Sequence, residues 1–445
     1  MRRAAEAIRA PDAAPAELDA ESGCAGSAAS RRALLVAYHY PPCQESSGYL
    51  RSLAFSRYLG ESGWDPVVLT ASIRAYSRAD PDQCARIPAS LPVFRAFARD
   101  VREHFSIRRK YPALLAVPDR WSSWWLGAVP MGLSLVRRYR PRIIWATQPN
   151  PTAFWVAHTL HRLTGVPWVA DFRDPITASD DNPWARRACR WIERKTIDGC
   201  SRAVFTAPDA ARLYARRYPH IPADRWTIIP NGYDESDFDG LDIRPSPERA
   251  PLRLVHSGAL YPEGRNPRPL IAAIGKLKAS GALTGRDLKI ILRGSGHENV
   301  YNDLIRQASV DDIVHLEPAV SHRQALTELC SADGLLILQG RMHNGQIPAK
   351  VYEYLRVRKP ILALTDRVGD TGRILSSAGI DTIVPMDREE EIAVGLEAFV
   401  KNIRAGVAPV ASDAIVATHS RKARARQLAD VFDEVVATTA GGNHV

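Results

Sequence analysis

Two charged side chains near the start of a short helical stretch have the types and spacing that best suit chemistry. Lys350 and Glu353 lie in the segment Gly345–Leu362 (GQIPAKVYEYLRVRKPIL), which predicts a loop, a helix from Pro348 and a strand from Pro360. Residues three apart share a helix face, and helix N-termini attract phosphate. A carboxylate one turn further in can bind ribose hydroxyls. The segment therefore outlines a nucleotide-diphosphate site, although the spacing also fits an ordinary surface ion pair.

Short apolar runs alternate with helical segments in both halves of the chain, and this alternation predicts two doubly wound α/β domains. The first-half strands are predicted at Ala33–Tyr38, Pro66–Thr70, Ile143–Ala146, Trp168–Asp171, Ala203–Thr206 and Thr227–Ile229. The second-half strands are predicted at Leu252–His256, Leu288–Arg293, Ile313–Leu316, Gly334–Leu338 and Ile361–Leu364. The predicted fold is thus two Rossmann-like units, although no GxGxxG motif is present.

The chain of 445 residues is too long for one core and suits two domains with tails. Five parts are predicted: a disordered tail over 1–30, a first Rossmann-like domain over 31–236, a polar linker over 237–251, a second Rossmann-like domain over 252–405, and a C-terminal helix and tail over 406–445 that can return to the first domain.

Composition narrows the class of partner and the compartment. The net charge of +10 favours anionic partners such as nucleotide sugars or anionic membranes. The six cysteines show no metal-binding or disulfide spacing, which fits a reducing cytoplasm. No apolar run is long enough to span a bilayer, and the first 30 residues lack the apolar core of a signal peptide. A cytoplasmic protein is expected, with the inner face of the cell membrane as a further possibility.

Four segments in this order along the chain together resemble glycosyltransferase family 4, a retaining family of GT-B fold. They are the loop Tyr40–Arg51, the strand end Val169–Pro175 (VADFRDP), the segment Ile229–Asp234 (IPNGYD) and the helix that carries Lys350. The strand end is similar to that of polysaccharide-type members. The resemblance covers nearly the whole folded chain and implies two Rossmann-like domains that face each other across a cleft.

The resemblance implies that the second domain binds a nucleotide-diphosphate sugar. Glu353 would hold the ribose, and backbone N–H groups over Ile347–Lys350 would face the diphosphate. Arg265 would neutralise the leaving phosphate where the family usually has a lysine, whereas Ala259 stands where an arginine is usual. The implied donor-side residues are Gly48, Gly258, Arg265, Gly294, Gln346, Ile347, Pro348, Ala349, Lys350 and Glu353.

The first domain would hold the acceptor. Arg173 stands where many family members carry a histidine beside the sugar, and Asp171 and Asp174 flank it. Either carboxylate would orient an acceptor hydroxyl, or the three residues form a structural ion-pair network. The implied acceptor-side residues are Arg51, Asp171 and Arg173. The implied catalytic residues are Arg265, Lys350, Arg173 and Asp174.

One departure from the family pattern concerns the donor sugar. Gly345 occupies the position of the first glutamate of the family's Glu-x7-Glu pair, which normally contacts that sugar, and Gln346 is the nearest polar substitute. Sugar identity and catalytic competence are therefore open. No Asp-x-Asp motif follows a strand in a metal-binding position, and the pair Asp180-Asp181 lies in a polar loop. Transfer without a metal ion or cofactor is therefore expected.

A stretch rich in tryptophan and basic residues predicts either a membrane-facing surface or a core with a wet helix face. Its residues are Arg108, Arg109, Lys110, Trp121, Trp124, Trp125, Arg137, Arg138 and Arg140. The expected partners are a nucleotide-sugar donor, a saccharide or lipid-linked acceptor and an anionic membrane surface. Nucleic acid is not expected, since no recognition motif accompanies the basic charge.

Four functions compete at this point. The first is a hexosyltransferase that builds a polysaccharide or glycolipid with retention. The second is a nucleotide-sugar epimerase of GT-B fold, which Gly345 disfavours. The third is a catalytically weak nucleotide-sugar-binding or scaffold protein, and the fourth is a nucleic-acid-binding protein. Nucleotide release from a donor panel would separate the first from the third.

Overall fold

The computed structural model describes residues 31–441 except 46–47, 106–110, 177–181 and 243–250. The predicted tail over 1–30 lies outside the described residues, as do the basic residues Arg108, Arg109 and Lys110 and the pair Asp180-Asp181. Both lobes described below belong to one compact unit.

Within the described residues, the first lobe is built on a seven-stranded sheet in the order β3-β2-β1-β4-β5-β6-β7, with every neighbouring pair parallel. Its strands are uninterrupted apolar runs, as expected for parallel strands covered on both faces. They are β1 (Arg31–Val36), β2 (Trp64–Ala71), β3 (Val93–Ala96), β4 (Ile143–Thr147), β5 (Trp168–Phe172), β6 (Arg202–Phe205) and β7 (Trp226–Ile228).

The second lobe repeats this plan with a sheet of six described strands in the order β10-β9-β8-β11-β12-β13, again parallel throughout. Its strands are β8 (Leu252–Ser257), β9 (Leu288–Arg293), β10 (Val314–Glu317), β11 (Gly334–Gln339), β12 (Ile361–Thr365) and β13 (Ile383–Val384).

Helices cover both faces of each sheet. Along β1, Leu34 and Val36 enter one core cluster while Ala33 and Leu35 enter another, because successive strand residues point to opposite faces. The helices are α1 (Tyr49–Tyr58), α2 (Val101–His104), α3 (Trp124–Tyr139), α4 (Pro151–Thr164), α5 (Pro183–Gly199), α6 (Pro208–Arg217), α7 (Arg268–Ala279), α8 (Glu298–Gln307), α9 (His322–Ser331), α10 (Lys350–Val357), α11 (Asp370–Ser377), α12 (Glu389–Arg404), α13 (Asp413–Thr418) and α14 (Arg421–Gly441).

The last helix, α14, packs on the first lobe rather than on the lobe that precedes it in sequence. Leu428 and Phe432 share a core cluster with Leu53 and Trp64, and the rings of Trp64 and Phe432 meet edge to face at 5.2 Å. The chain therefore crosses between the lobes twice, after β7 and before α14.

The predicted fold class is confirmed: each lobe is a doubly wound parallel sheet. The prediction that a helix begins at Pro348 is wrong by two residues, since α10 begins at Lys350 with Ala349 as its N-cap. The edge strands β3 and β13 were not predicted, although the similarly short edge strands β7 and β10 were.

Candidate functional site

Ligands of open parallel sheets bind at the carboxyl ends of the strands, where the strand order reverses. In the second lobe the reversal lies between β8 and β11. The segments that follow these two strands carry Gly258 and Arg265 on one side, and the loop that leads to Lys350 on the other. Strand order alone therefore brings Gly258, Arg265 and the loop before α10 to one crevice.

Gln339, the last residue of β11, hydrogen-bonds to both sides of this crevice. Its side chain is fully buried, and its Oε1 accepts a hydrogen bond from Arg265 Nη2 at 3.1 Å. Its Nε2 lies within hydrogen-bond distance of the carbonyl oxygens of His343 and Gln346, at 3.1 and 2.9 Å. One amide thus fixes both the cation Arg265 and the loop before α10. The prediction from sequence missed Gln339; a polar residue that ends a buried apolar strand was the available signal.

Lys350 extends from the first turn of α10 toward the end of β8. Its Nζ lies 3.2 Å from His256 Nε2, and His256 Nδ1 is 2.9 Å from the carbonyl oxygen of Leu336. A carbonyl only accepts, so Nδ1 carries the ring proton and the bare Nε2 accepts from Lys350. Burial and the nearby Lys350 keep the pKa of His256 well below its usual value, which agrees with a neutral ring.

The ammonium of Lys350 is close to another cation. Burial, and then the positive charge of Arg265, lower the pKa of Lys350 from 10.5 to about 7, while Glu353 acts in the opposite direction. Burial also lowers the pKa of Arg265. The crevice therefore holds two cations that are partly stripped of water and that repel each other, an arrangement that a bound anion would relieve.

Two predicted glycines have structural reasons for their type. Gly258 has φ +110°, and a Cβ there would lie 2.9 Å from Lys350 Nζ, so only glycine leaves room for the lysine. Gly294 has φ +61°, and a Cβ there would lie 3.2 Å from Ala319 Cβ. The turn alone explains Gly294, whereas Gly258 also shapes the crevice.

Glu353 is one turn into α10 and contacts a residue that was not predicted. Its Oε1 accepts a hydrogen bond from His322 Nε2 at 2.9 Å, and 16% of its side chain is exposed. Burial alone would raise the pKa of Glu353, but the hydrogen bond and charge of His322, together with the charges of Arg421 and Lys350, outweigh it and the pKa is lowered. The carboxylate is thus charged and held in place. His322 begins α9 and carried no signal in the sequence.

The loop before α10 reaches the other lobe. Gln346 Nε2 donates to Asp174 Oδ1 across the cleft at 3.2 Å, while Ile347 packs on the core of the second lobe. Pro348 and Ala349 lead into the helix, and Ala349 adopts helical φ and ψ at the N-cap. Asp174 is exposed and follows β5, so it approaches the donor crevice from the first lobe.

Arg173 and Gly48 are in contact within the first lobe. A Cβ at Gly48 would lie 2.2 Å from Arg173 Nη1, so the guanidinium packs directly on the glycine backbone. Arg173 Nη1 also donates to the carbonyl oxygen of Gln148 at 3.2 Å. These two predicted residues therefore share one corner of the cleft.

The acceptor-side prediction for Arg51 and Asp171 is corrected by their burial. Asp171 is fully buried, and its two carboxylate oxygens accept from Arg51 Nε and Nη2 at 2.9 and 2.8 Å. Thr147 also donates to the carboxylate, and Arg51 donates to the carbonyl oxygens of Ile229 and Pro230. These residues fasten α1, β5 and the segment after β7, and neither carboxylate oxygen is free for an acceptor.

The corner around Gly345 belongs to the interface between the lobes. A Cβ at Gly345 would lie 3.2 Å from Asp209 Cβ of α6. The backbone N–H of Asp209 donates to Asp370 Oδ2 of α11 at 2.7 Å, and Arg212 lies 3.4 Å from the same carboxylate group. A first-lobe helix therefore closes on the position where a glutamate was expected from the family pattern.

Of the two alternatives for the tryptophan-rich stretch, its tryptophans fit the core, since they lie in or against it. Trp124 is fully buried, and Trp121 and Trp125 pack on the same core cluster. Trp125 stacks on Trp155 at 4.9 Å. The aromatic residues of this stretch are thus core residues, and its sequence resembled an interface because packing and membrane contact both select tryptophan.

With two Rossmann-like lobes facing across a cleft, the protein has the GT-B fold. Solved structures support this over almost the whole chain. A sucrose-phosphate synthase from Thermosynechococcus elongatus is similar at 12% identity and TM-score 0.60, covering 92% of this chain and 100% of its own. HepE of Anabaena in complex with UDP is similar at 12% identity and TM-score 0.59, covering 91% and 100%. WaaG, a glycosyltransferase involved in lipopolysaccharide biosynthesis, is similar at 14% identity and TM-score 0.53, covering 92% and 98%.

A family model matches part of the first lobe. Residues 49–232 match the model described as a glycosyl transferase 4-like domain. The match covers 184 of the 445 residues and agrees with the resemblance seen in the sequence. No curated protein matches the sequence.

Proposed function

We propose that the protein transfers a hexose from a nucleotide-diphosphate sugar to a hydroxyl group of a saccharide or lipid-linked glycan, with retention of configuration. The observation that carries the proposal is the pair of cations at the reversal point of the second sheet. Arg265 and Lys350 lie close enough to repel each other, next to the N-terminus of α10. A diphosphate would bind between them and neutralise both.

The chemistry follows from where charge develops. The bond between the anomeric carbon and the donor phosphate breaks, the acceptor hydroxyl oxygen forms the new bond, and its proton leaves with the diphosphate or with solvent. Negative charge grows on the departing phosphate, where Arg265, Lys350 and the partial positive charge of the N-terminus of α10 would stabilise it. Fixed donors of this kind lower the barrier because they need no reorganisation during the reaction.

The remaining residues would position the two substrates. Glu353, held by His322, would accept hydrogen bonds from the ribose, one helical turn from Lys350. Asp174 is the exposed carboxylate that approaches the crevice from the first lobe, with Arg173 and Gly48 beside it. Asp174 would therefore orient the acceptor hydroxyl or a donor-sugar hydroxyl. Transfer would need no metal ion and no cofactor.

Thermal stabilisation by a set of nucleoside diphosphates tests the donor site. Glu353→Ala should abolish the rise in melting temperature, whereas Glu390→Ala, at an exposed carboxylate of the same lobe, should leave it intact. An unchanged rise in Glu353→Ala would show that another carboxylate holds the nucleotide.

A second candidate is a nucleotide-sugar-binding protein with little turnover, and Gly345 is the observation that favours it. Gly345 has no side chain that could contact the donor sugar. Asp209 also lies close to this position, 3.2 Å from where a Cβ of residue 345 would be. Release of nucleotide from a panel of donors, with lipid extract as acceptor, separates the candidates. Binding of a donor without release across the whole panel would favour the second.

Association with the inner face of the cell membrane is part of the proposal, and α5 is the surface that supports it. Trp184, Arg187 and Trp191 lie on one exposed stripe of this helix, with Trp184 66% and Trp191 43% exposed. With Leu114 and Pro118 they line an apolar groove of about 460 Å³. Exposed tryptophan beside arginine suits an interface with anionic lipid. Within the described residues, no helix is long and apolar enough to cross a bilayer.

Sedimentation with liposomes tests this surface. The double variant Trp184→Ser/Trp191→Ser should lose binding to anionic liposomes, whereas Val394→Ser, at an exposed apolar residue of the second lobe, should keep it. If the wild-type protein does not sediment with anionic liposomes, the proposal of membrane association is wrong. That result would not bear on the donor site.

A further inference from the structure

A small cavity ringed by arginines lies where the two lobes and the C-terminal helix meet. Its volume is about 30 Å³, enough for one water molecule or one monatomic anion of similar size. Arg51 and Arg173 line it from the first lobe, Gly232 from the segment after β7, Ala349 from the N-cap of α10, and Arg421 and Arg424 from α14.

Only two of the four arginines at this cavity have their charge neutralised by a nearby carboxylate of the described chain. Arg51 is neutralised by Asp171, and Arg421 Nη1 lies 3.7 Å from Asp237 Oδ2, a carboxylate group that also accepts from Arg86. Within the described residues, the hydrogen bonds of the other two arginines go to neutral groups. Arg173 donates to the carbonyl oxygen of Gln148, and Arg424 contacts Gln427 Oε1 and His419 Nδ1. The cavity wall therefore carries excess positive charge.

Several donors at the cavity have no hydrogen-bond partner within the described part of the chain. They are the Nε atoms of Arg173 and Arg424 and Nη1 of Arg421. Arg421 and Arg424 are only 7% and 6% exposed. Buried polar groups in folded proteins are almost always paired, so this cluster points to a missing acceptor.

Two further features add to the positive charge around the cavity. The N-terminus of α10 reaches the cavity at Ala349, and helix N-termini carry partial positive charge. Burial, together with the nearby Arg51, lowers the pKa of Arg424, although a guanidinium stays protonated in proteins. A neutral water would satisfy some donors but would leave the charge uncompensated.

We infer that this cavity binds a monovalent anion of halide size, with chloride as the physiological occupant. The anion would accept hydrogen bonds from α14 and the first lobe at once, and would thereby fix the C-terminal helix where it returns to that lobe. The cavity contains neither Arg265 nor Lys350, but it shares Arg173 and the N-terminus of α10 with the proposed donor crevice.

Bromide is a direct probe, because its anomalous scattering distinguishes it from water. Crystals of the full chain grown or soaked in sodium bromide should show one anomalous peak between Arg173 and Arg424. In solution, chloride at constant ionic strength should raise the melting temperature above that in gluconate by about 2 °C or more. Arg424→Gln should lose this rise, whereas Arg426→Gln, at an exposed residue of the same helix, should keep it.

Three results would overturn the inference. They are a cavity that holds only water in bromide crystals, an equal chloride response in Arg424→Gln and Arg426→Gln, and displacement of bromide by a nucleoside diphosphate, which would assign the cavity to the donor site. If Arg424→Gln does not fold, Arg424→Lys retains the charge while removing the Nε donor, and it should bind bromide more weakly.

Discussion

Two groups of cations approach the cleft, and they differ in what surrounds them. In the first lobe, Arg51 forms a bidentate pair with Asp171, and both residues are buried. In the second lobe, Arg265 and Lys350 contact only Gln339 and His256, which are neutral, among the described hydrogen-bonding groups. A cation paired with its own carboxylate is compensated within the structure, whereas Arg265 and Lys350 have no carboxylate among their hydrogen-bond partners in the described residues.

The presence or absence of a carboxylate partner also predicts whether a cation contributes to stability or to anion binding. A buried pair that loses one partner leaves an uncompensated charge, so its removal destabilises the fold. A cation without a carboxylate already bears the cost of partial burial, so its removal should spare the fold and weaken binding of the anion. Variants of Arg51 or Asp171 should therefore lose stability, whereas variants of Arg265 or Lys350 should lose anion binding.

The largest effect is expected from Asp171→Ala. The substitution strands Arg51 in a buried position and should lower the free energy of unfolding by about 3–5 kcal/mol. Denaturant unfolding measures this loss. The double variant Arg51→Met/Asp171→Leu removes both charges and should recover much of it; a double variant less stable than Asp171→Ala would contradict the buried-pair interpretation.

Lys350→Met should give the next largest effect, on turnover. Loss of one donor to a developing oxyanion typically costs about 10²–10³ in kcat. The unfolding free energy without ligand should stay the same or rise, because the side chain no longer places a charge beside Arg265. Steady-state nucleotide release and ligand-free unfolding measure the two quantities.

Lys276→Met is the matched control for this variant, since Lys276 is half-exposed on α7 of the same lobe and pairs with Glu389 and Glu390. It should leave turnover unchanged. A Lys350→Met protein with normal nucleotide release would show that the crevice cations do not stabilise the leaving group.

How far the sequence predicts these regions depends on the kind of signal. Strand alternation and the Lys350–Glu353 spacing are local, so the fold class and the crevice helix could be predicted. Burial is not local. Asp171 lies in the same segment as Asp174, and only the packing of α1 shows that Asp171 is enclosed by Arg51 while Asp174 is exposed.

The same limit explains the residues that were missed. Gln339 and His256 act through contacts with residues 74 and 94 positions away, and nothing at that separation shows in a sequence pattern. Trp124 shows why two alternatives stayed open, because a tryptophan beside basic residues has the same sequence pattern in a core as on a membrane. Local chemistry could be predicted, and the partners of each charged group could not.

Gln339→Leu should have an intermediate effect. It removes the acceptor of Arg265 and one donor to each of the carbonyl oxygens of His343 and Gln346, which keep their hydrogen bonds from the Gln346 N–H and the Thr371 hydroxyl. A buried donor left without its acceptor costs about 1–3 kcal/mol, so both stability and donor affinity should fall. Calorimetric titration with a nucleoside diphosphate, alongside thermal unfolding, measures both. A loss of stability with unchanged affinity would mean that Gln339 supports the loop but not Arg265.

The smallest expected effect is a pH dependence of donor binding. The pKa of Lys350 is lowered to about 7, so the ligand-free protein loses this positive charge as pH rises through neutrality. His256 does not titrate in that range, since its pKa is well below its usual value, and Glu353 is already charged there. Affinity for a nucleoside diphosphate should fall by up to about tenfold per pH unit above 7.

The stability of the ligand-free protein should change in the opposite direction. Between about pH 7 and pH 10.5 the unfolded chain binds more protons at Lys350 than the folded one, so this residue makes stability rise with pH. Lys350→Met and Lys350→Arg should both remove both trends, but Lys350→Arg stays charged and keeps its affinity at every pH, whereas Lys350→Met binds weakly throughout. Affinity that is flat from pH 6 to 8 in the wild type would place Lys350 outside the anion site, and the contrast between the two cation groups would then rest on Arg265 alone.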